Sequence, residues 1–203
     1  MPKYFMMNKP RGYLSACADP RCQTVLSLFK EEDAEGLFHI GRLDKDTEGL
    51  LLFTDDGGFC DLLMHPRNEI PKTYLFYAEG VLDDGKLERL CEGLSIYPKK
   101  EDFITKKASC RVLGTGVLQD YEEHLPIYDK RKLIRRRQNP VVIGEITIAE
   151  GKKHQVRRML MAVGCKIFRL KRIRIGALTL DESLKSGEYR PLTEKEIEYF
   201  YPV

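Results

Sequence analysis

One stretch constrains this chain more than any other. His39-Ile40-Gly41-Arg42-Leu43-Asp44-Lys45-Asp46-Thr47-Glu48-Gly49 is an acidic segment bracketed by glycines, and it runs directly into the apolar Leu50-Leu51-Leu52-Phe53 and then Thr54-Asp55-Asp56-Gly57. The glycines permit close approach of another chain or a ligand to the backbone. The apolar residues form a strand that pins the loop against a core. A carboxylate beside an arginine is therefore held on ordered structure, which a free acidic run would not achieve.

The rest of the chain can supply that core. At 203 residues, 42% of them hydrophobic, the length suits one domain or two small lobes sharing a core. Strand and helix signals alternate irregularly. Lys72 to Ala78 alternates, with Tyr74 and Phe76 on one face. Asp83 to Cys91 has Leu87, Leu90 and Cys91 at helical spacing with Gly93 beyond it. Val141 to Ala149 is β-branched and strand-like. His154 to Val163 carries Val156, Met159, Leu160 and Val163 on one helical face, closed by Gly164. Ile167 to Ile175 returns as a basic strand, and Thr193-Glu194-Lys195-Glu196 is a capping box opening a last helix. No regular βαβ repeat is present, so the pattern predicts an α+β fold around a mixed or antiparallel sheet. The polar, Pro-flanked stretch 124–140 reads as a loop or insertion.

Net charge is only +3, but the charges are segregated. From Glu31 to Asp61 there are ten acidic and two basic residues; from Gly151 to Leu180 there are nine basic and no acidic ones. A second basic cluster, Lys130 to Arg137, holds six cations in eight positions. Cations interleaved with Phe168, Leu170, Ile173 and Ile175 on ordered structure are what phosphate contacts require, so the charge pattern points to a nucleic acid partner. The N-terminus lacks the apolar core and cleavage site of a signal peptide, and no apolar run could cross a bilayer. Six scattered cysteines without Cys-x-x-Cys spacing read as free thiols in a reducing cytosol, and zinc is disfavoured for the same lack of paired ligands. The expectation is a cytoplasmic protein with no membrane partner and no metal.

The acidic loop admits several chemistries. Asp44, Asp46, Glu48, Gly49 and Asp55 fall on EF-hand positions, but two of the carboxylates are of the wrong kind and the flanks read as strand, so calcium is rejected. Asp44-Lys45-Asp46-Thr47 matches the Asp-x-Asp-x-Thr pattern of aspartate-nucleophile phosphatases, although that loop should follow an apolar strand of a parallel sheet. A tight acidic turn pairing Asp44 with Arg42 is the structural alternative.

A family resemblance extends well beyond this loop. Gly-Arg-Leu-Asp-x-x-Thr-x-Gly-Leu-Leu (Gly41 to Leu51) resembles the catalytic loop of the pseudouridine synthases that modify ribosomal RNA. Asn8 to Tyr13 resembles that family's opening strand, and His65-Pro66-Arg67 followed by Lys72-Thr73-Tyr74-Leu75 its tyrosine motif. Glu150 to Met159 resembles its basic helix motif, and Leu170 to Gly176 and Gly187 to Leu192 continue the match. The resemblance implies a pseudouridine synthase fold: a mixed, mostly antiparallel sheet with flanking helices, in two sub-lobes around a central cleft. It implies a single catalytic domain over residues 1–203, acting as a monomer without a cofactor. Relatives often carry a small RNA-binding domain of the S4 type; with an opening strand at about Tyr4, the expectation is a form lacking it, in which the basic 124–140 segment substitutes.

The reaction so implied isomerises a uridine of small- or large-subunit ribosomal RNA to its C-glycoside, on a base flipped out of the RNA. Asp44 is the essential carboxylate, either as nucleophile at C1′ or as base toward a sugar proton. Because its acidic neighbours raise a carboxylate's pKa, a cation must oppose it, and the resemblance assigns Arg157. Tyr74 stacks on the target base, Leu170 packs its pocket, and Arg42 contacts RNA. Lys72, Lys152, Lys153, His154, Gln155, Arg158, Arg169 and Arg172, with Arg174, are the further RNA-binding candidates. A non-catalytic RNA-binding protein on the same fold is the alternative from another class.

Overall fold

The computed structural model describes residues 2–96, 103–126 and 133–201. Among the described residues there are nine strands: β1 (Tyr4–Lys9), β2 (Phe38–Ile40), β3 (Glu48–Thr54), β4 (Lys72–Glu79), β5 (Ser109–Val117), β6 (Pro140–Ile148), β7 (Lys166–Ile175), β8 (Leu178–Thr179) and β9 (Tyr189–Pro191). The helices are α1 (Glu31–Ala34), α2 (Gly57–Met64), α3 (Asp84–Glu92), α4 (Gln155–Ala162) and α5 (Glu194–Glu198). Short 3₁₀ turns lie among them at Val25–Leu28, Pro66–Asn68, Leu118–His124 and Leu133–Arg135. The chain divides into two compact units, one of residues 1–72 and 171–203, the other of 73–170.

The first unit is built on β3. In it β7, β3, β1 and β9 lie side by side, with β2 added to β3 and β8 to β7. Strands β1 and β2 pair antiparallel with β3, and β7 pairs parallel with it, so the sheet is mixed as expected. Every residue from Gly49 to Thr54 is buried, because β3 is covered on both faces. Leu50 and Leu52 join Met6, Ile40, Phe59, Ile175, Leu178 and Phe200 in one cluster. Phe53 instead meets Phe29, which packs against Phe5 and Tyr189. Burial of each such side chain is worth about 1.5–3 kcal/mol. The loop on either side of this strand is thereby anchored to the best-buried part of the unit.

In the second unit the strand order is β5, β6, β4, β7. Phe76 and Ala78 of β4, Val142 and Ile146 of β6, and Val156, Met159, Leu160 and Val163 around α4 form its main core. The predicted helix 154–163 and strands 72–78, 141–149 and 167–175 thus appear within a residue or two of their expected bounds. The capping box at Thr193 is present, with Glu196 N donating to Thr193 Oγ1 and Thr193 N to Glu196 Oε2.

The 124–140 segment is only partly a loop. Lys130, Arg131 and Lys132 lie outside the described residues. Leu133–Arg135 form a 3₁₀ turn. Arg136 Nη1 then donates to Glu79 Oε2 at 3.1 Å and Asn139 Nδ2 to Glu79 Oε1 at 2.6 Å, which ties the segment's end to β4. All six cysteines are free thiols. Among the described residues no helix is long and apolar enough to cross a membrane.

Candidate active site

Asp44 sits in the loop joining β2 to β3, which pair antiparallel through Phe38↔Thr54, His39↔Phe53 and Ile40↔Leu52. This corrects the phosphatase reading. That chemistry places its aspartate beyond the end of a parallel strand, whereas here the preceding strand is one arm of an antiparallel hairpin.

The loop is held from three sides. Ser15 Oγ donates to Leu43 O at 2.9 Å and accepts from Leu43 N at 3.1 Å. Gly12 N donates to Lys45 O at 2.8 Å, and Thr47 N to Asp44 O at 3.0 Å. The third hold was not evident from the sequence. Lys9 has no exposed surface, and its Nζ donates to Thr47 O at 2.9 Å, Pro10 O at 3.0 Å, Asp44 O at 3.2 Å and Lys45 O at 3.4 Å. Burial pulls its pKa down to about 8, while Asp46, Glu48 and Asp44 act in the opposite direction. No periodicity marks a lysine for burial; the only available signal was its place beside Pro10 at the end of an apolar strand.

Two glycines explain the loop's ends. Gly41 has φ +68°, and a Cβ there would lie 2.9 Å from Met64 Sδ. Gly49 has φ +99°, and a Cβ there would lie 2.2 Å from Arg172 O. The close backbone approach anticipated for these glycines is made at Gly49 by the protein's own β7, whereas Gly41 faces the Met64 side chain of α2. Within this loop Asp44 is half-buried and Arg42 exposed.

Two further candidates of the first unit lie nearby in the fold. Lys72 Nζ donates to Ile70 O at 2.7 Å, and burial, then the neighbouring Arg172, lower its pKa. Arg172 was expected to grip a phosphate. It is instead 3% exposed, with Nε donating to Leu50 O at 2.8 Å and Nη2 buried without a hydrogen-bond partner. Its position opposite Gly49 on β7 turns it inward, so it is a structural cation and not a surface contact.

The second unit carries Tyr74, Arg157 and Leu170. Tyr74 packs against the cluster that contains Leu170 and the apolar face of α4, so strand, helix and leucine are set by one core. Arg157 is half-buried on α4, its Nη1 donating to Ile167 O at 3.5 Å. Lys152, Lys153 and His154 are exposed just before α4, and Arg158 and Arg169 are half-buried. Lys152 Nζ lies 4.8 Å from the Phe103 ring centroid. Arg169 Nη1 lies 3.1 and 3.2 Å from the two ring nitrogens of His124, and its guanidinium lies over the Tyr77 ring at 5.3 Å. Arg174, in the first unit, is exposed.

Gln155 is a second correction. It is 3% exposed; Nε2 donates to Glu150 Oε2 at 2.8 Å, and Oε1 accepts from Lys152 N at 2.9 Å. Glu150 Oε2 also accepts from Lys106 N at 3.0 Å. The glutamine thus staples the turn that launches α4. That turn includes His154 in the left-handed region at φ +55°, a conformation that costs a non-glycine residue about 1–3 kcal/mol.

Known proteins resemble this chain throughout. The family described as RNA pseudouridylate synthase matches residues 3–162. A protein named ribosomal small subunit pseudouridine synthase A from Salmonella typhimurium is 40% identical over 97% of this chain and 73% of its own length. One from Bacillus subtilis, named uncharacterized RNA pseudouridine synthase YtzG, is 38% identical over 96% of this chain and 71% of its own. A solved pseudouridylate synthase superposes with a TM-score of 0.78 at 35% identity, covering 99% of this chain and 74% of that one. Human RNA pseudouridylate synthase domain containing 1, at 13% identity and a TM-score of 0.55, shares the fold. With the family matched over residues 3–162 and a relative 40% identical over 97% of it, the chain belongs to the RNA pseudouridylate synthases and is an isomerase of that family.

Proposed function

We propose that this enzyme isomerises one uridine of small-subunit ribosomal RNA, with Asp44 as its essential carboxylate. The ribosomal substrate is supported by the names of relatives about 40% identical over nearly the whole chain. The role of Asp44 is supported by one observation above the others: the loop that carries it is tied to Lys9, Ser15 and Gly12 by backbone-directed hydrogen bonds. A catalytic carboxylate needs such preorganisation, because misplacement by about 1 Å can cost 10²-fold in rate.

In the proposed reaction the N1–C1′ bond breaks, the uracil turns, and C5 bonds to C1′. The proton leaves C5 and N1 gains one, so the product is an isomer and no electron donor is consumed. Asp44 acts at the sugar, as nucleophile at C1′ or as base. Tyr74 offers an aromatic face to the extruded base, Leu170 packs beside it, and Arg157 supplies a cation to the reaction. Arg42, Lys72, Lys152, Lys153, His154, Arg158, Arg169 and Arg174 contribute positive charge toward phosphates of the RNA. The protein acts as a monomer in the cytoplasm, where its substrate is assembled.

The test is release of tritium from C5-labelled uridine in small-subunit ribosomal RNA. The wild type should release label, and Asp44→Asn should release none. Release by both would remove Asp44 from the mechanism. Binding without release by either would favour a non-catalytic RNA-binding protein. Pseudouridine mapping in a deletion strain identifies the uridine, and a missing large-subunit site would overturn the choice of subunit.

A further inference from the structure

Lys106 and Lys107 lie outside both basic stretches of the sequence, 130–137 and 151–180. In the second unit the fold brings them to the start of the latter. Segment 103–108 leads into β5, and its backbone is fixed by the chain around it. Ile96 N donates to Phe103 O at 3.2 Å, Thr105 N to Leu94 O at 3.1 Å and Ala108 N to Cys91 O at 2.9 Å. Thr105 is 3% exposed, and its Oγ1 accepts from Leu94 N at 3.1 Å. Ile104 forms an antiparallel bridge with Ser95, so the backbone is extended here and successive side chains point to opposite faces. With Thr105 turned inward, Ile104 and Lys106 point outward. Ile104 is 66% exposed, and Lys106 and Lys107 are exposed beside it.

Glu150 joins this segment to the turn before α4. Its Oε2 accepts from Lys106 N on one side and from Gln155 Nε2 on the other. Lys152 reaches back from the turn to lay its ammonium over the Phe103 ring. Lys152, Lys153 and His154 are exposed on that turn. Four lysines are thus carried by two anchored segments, which meet at a carboxylate oxygen already occupied by two N–H donors. Gathering like charges costs stability through repulsion, and a polyanion lying along them removes that cost. Cations on fixed backbone also lose less conformational entropy on gripping a phosphate than cations on a free chain. The exposed Ile104 adds an apolar surface of the kind a ribose or base face can cover.

We propose that Lys106 and Lys107, with Ile104 beside them, extend the basic turn 152–154 into a docking edge for the phosphodiester backbone of the substrate RNA. The edge grips phosphates irrespective of base sequence and sets how strongly the RNA is held. This deepens the reading of ribosomal RNA as the substrate and rests on it.

The experiment measures filter binding of the whole chain to a small-subunit ribosomal RNA transcript, and to an unrelated transcript of equal length, across a salt series. Lys106→Ser/Lys107→Ser removes both ammoniums and leaves the backbone hydrogen bonds in place, and circular dichroism checks that the variant is folded. The slope of log K against log salt should fall by about 1.4–1.8, for two phosphate contacts at about 0.7–0.9 each. The fall should be equal on both transcripts, because phosphate contacts carry no sequence information. Lys106→Arg/Lys107→Arg keeps the charge and should keep the wild-type slope. An unchanged slope in the serine variant, a fall confined to the ribosomal transcript, or an equal fall in the arginine variant would each overturn the proposal. If the double variant does not fold, Lys107→Ser alone serves: a fall of about 0.7–0.9 is expected, and an unchanged slope is again decisive against the proposal. A wild type that releases no tritium from ribosomal RNA overturns the choice of substrate. An unchanged slope beside full tritium release by the wild type overturns this proposal alone.

Discussion

Gly49→Ala puts the anchoring of the catalytic loop to a direct test. Gly49 pairs with Arg172 in the parallel β3–β7 register, and a Cβ there would stand 2.2 Å from Arg172 O and 2.9 Å from Arg172 N. Ordinary contact begins at 3.4 Å, so the strands must part by about 1.2 Å, the difference between 3.4 and 2.2. Three costs add. Alanine at φ +99° costs about 1–2 kcal/mol. Parting the strands at this point forfeits a ladder hydrogen bond, about 1 kcal/mol net. It also stretches the buried bond from Arg172 Nε to Leu50 O, a charged hydrogen bond worth about 1.5–3 kcal/mol. The expected loss is about 3–6 kcal/mol, a large share of the roughly 5–15 kcal/mol that holds a domain together. Gly57→Ala is the matched control. It lies at the start of α2 with nothing within 4 Å of its Cβ position and no positive φ, so alanine should stabilise by about 0.5–1 kcal/mol. Urea unfolding of both variants, with slopes compared to confirm an unchanged transition, gives the answer. A Gly49→Ala loss below about 1 kcal/mol, or a Gly57→Ala variant less stable than Gly49→Ala, would refute the reasoning.

Two further outcomes follow from the corrected side chains and from the C-terminal ion network. Gln155→Ala should cost about 1–3 kcal/mol, because Glu150 and the Lys152 N–H lose a buried partner, and should leave the salt dependence of RNA binding unchanged. Lys153→Ser should reduce the slope of log K against log salt by about one; filter binding on the two proteins distinguishes these roles. Asp181 accepts from Ser183 Oγ at 2.7 Å and from Arg190 Nε at 2.5 Å, and these contacts hold its carboxyl down at about 2. A carboxyl depressed in the folded state stabilises it above the ordinary carboxylate range of about 4 and loses that contribution as pH falls through about 2. Asp181→Asn should therefore flatten the pH dependence of the urea midpoint between about pH 4 and 2, and an unchanged dependence would count against the network.

Elements with strong periodicity were legible in advance. β4, β6 and β7 alternate or are β-branched, and α4 and α5 combine an apolar face with a cap or a closing glycine. Other elements, α2 and β5 among them, carry no such mark. α2 opens on Gly57-Gly58, poor helix formers, and is nucleated by Asp56, whose Oδ1 accepts from the N–H groups of Gly58 and Phe59. β5 contains Gly114 and Gly116, is largely exposed, and shifts register between Val112 and Gly114; its strand character comes from pairing with β6. Local preference is weak in both, and tertiary contacts decide them.

The family, the reaction class and the loop that carries Asp44 could be read from the order and spacing of motifs, because those motifs are local and each needs a particular residue at a particular place. The roles of Lys9, Gln155 and Arg172 could not. All three are polar, and polarity by itself suggests an exposed contact to RNA. Their burial is decided by which strand lies beside which: β1 beside β3 encloses Lys9 beneath the loop, β7 beside β3 turns Arg172 inward, and the packing of α4 closes over Gln155. A polar group is stable inside only where distant backbone or side-chain partners converge on it, and that convergence is a property of the tertiary structure alone.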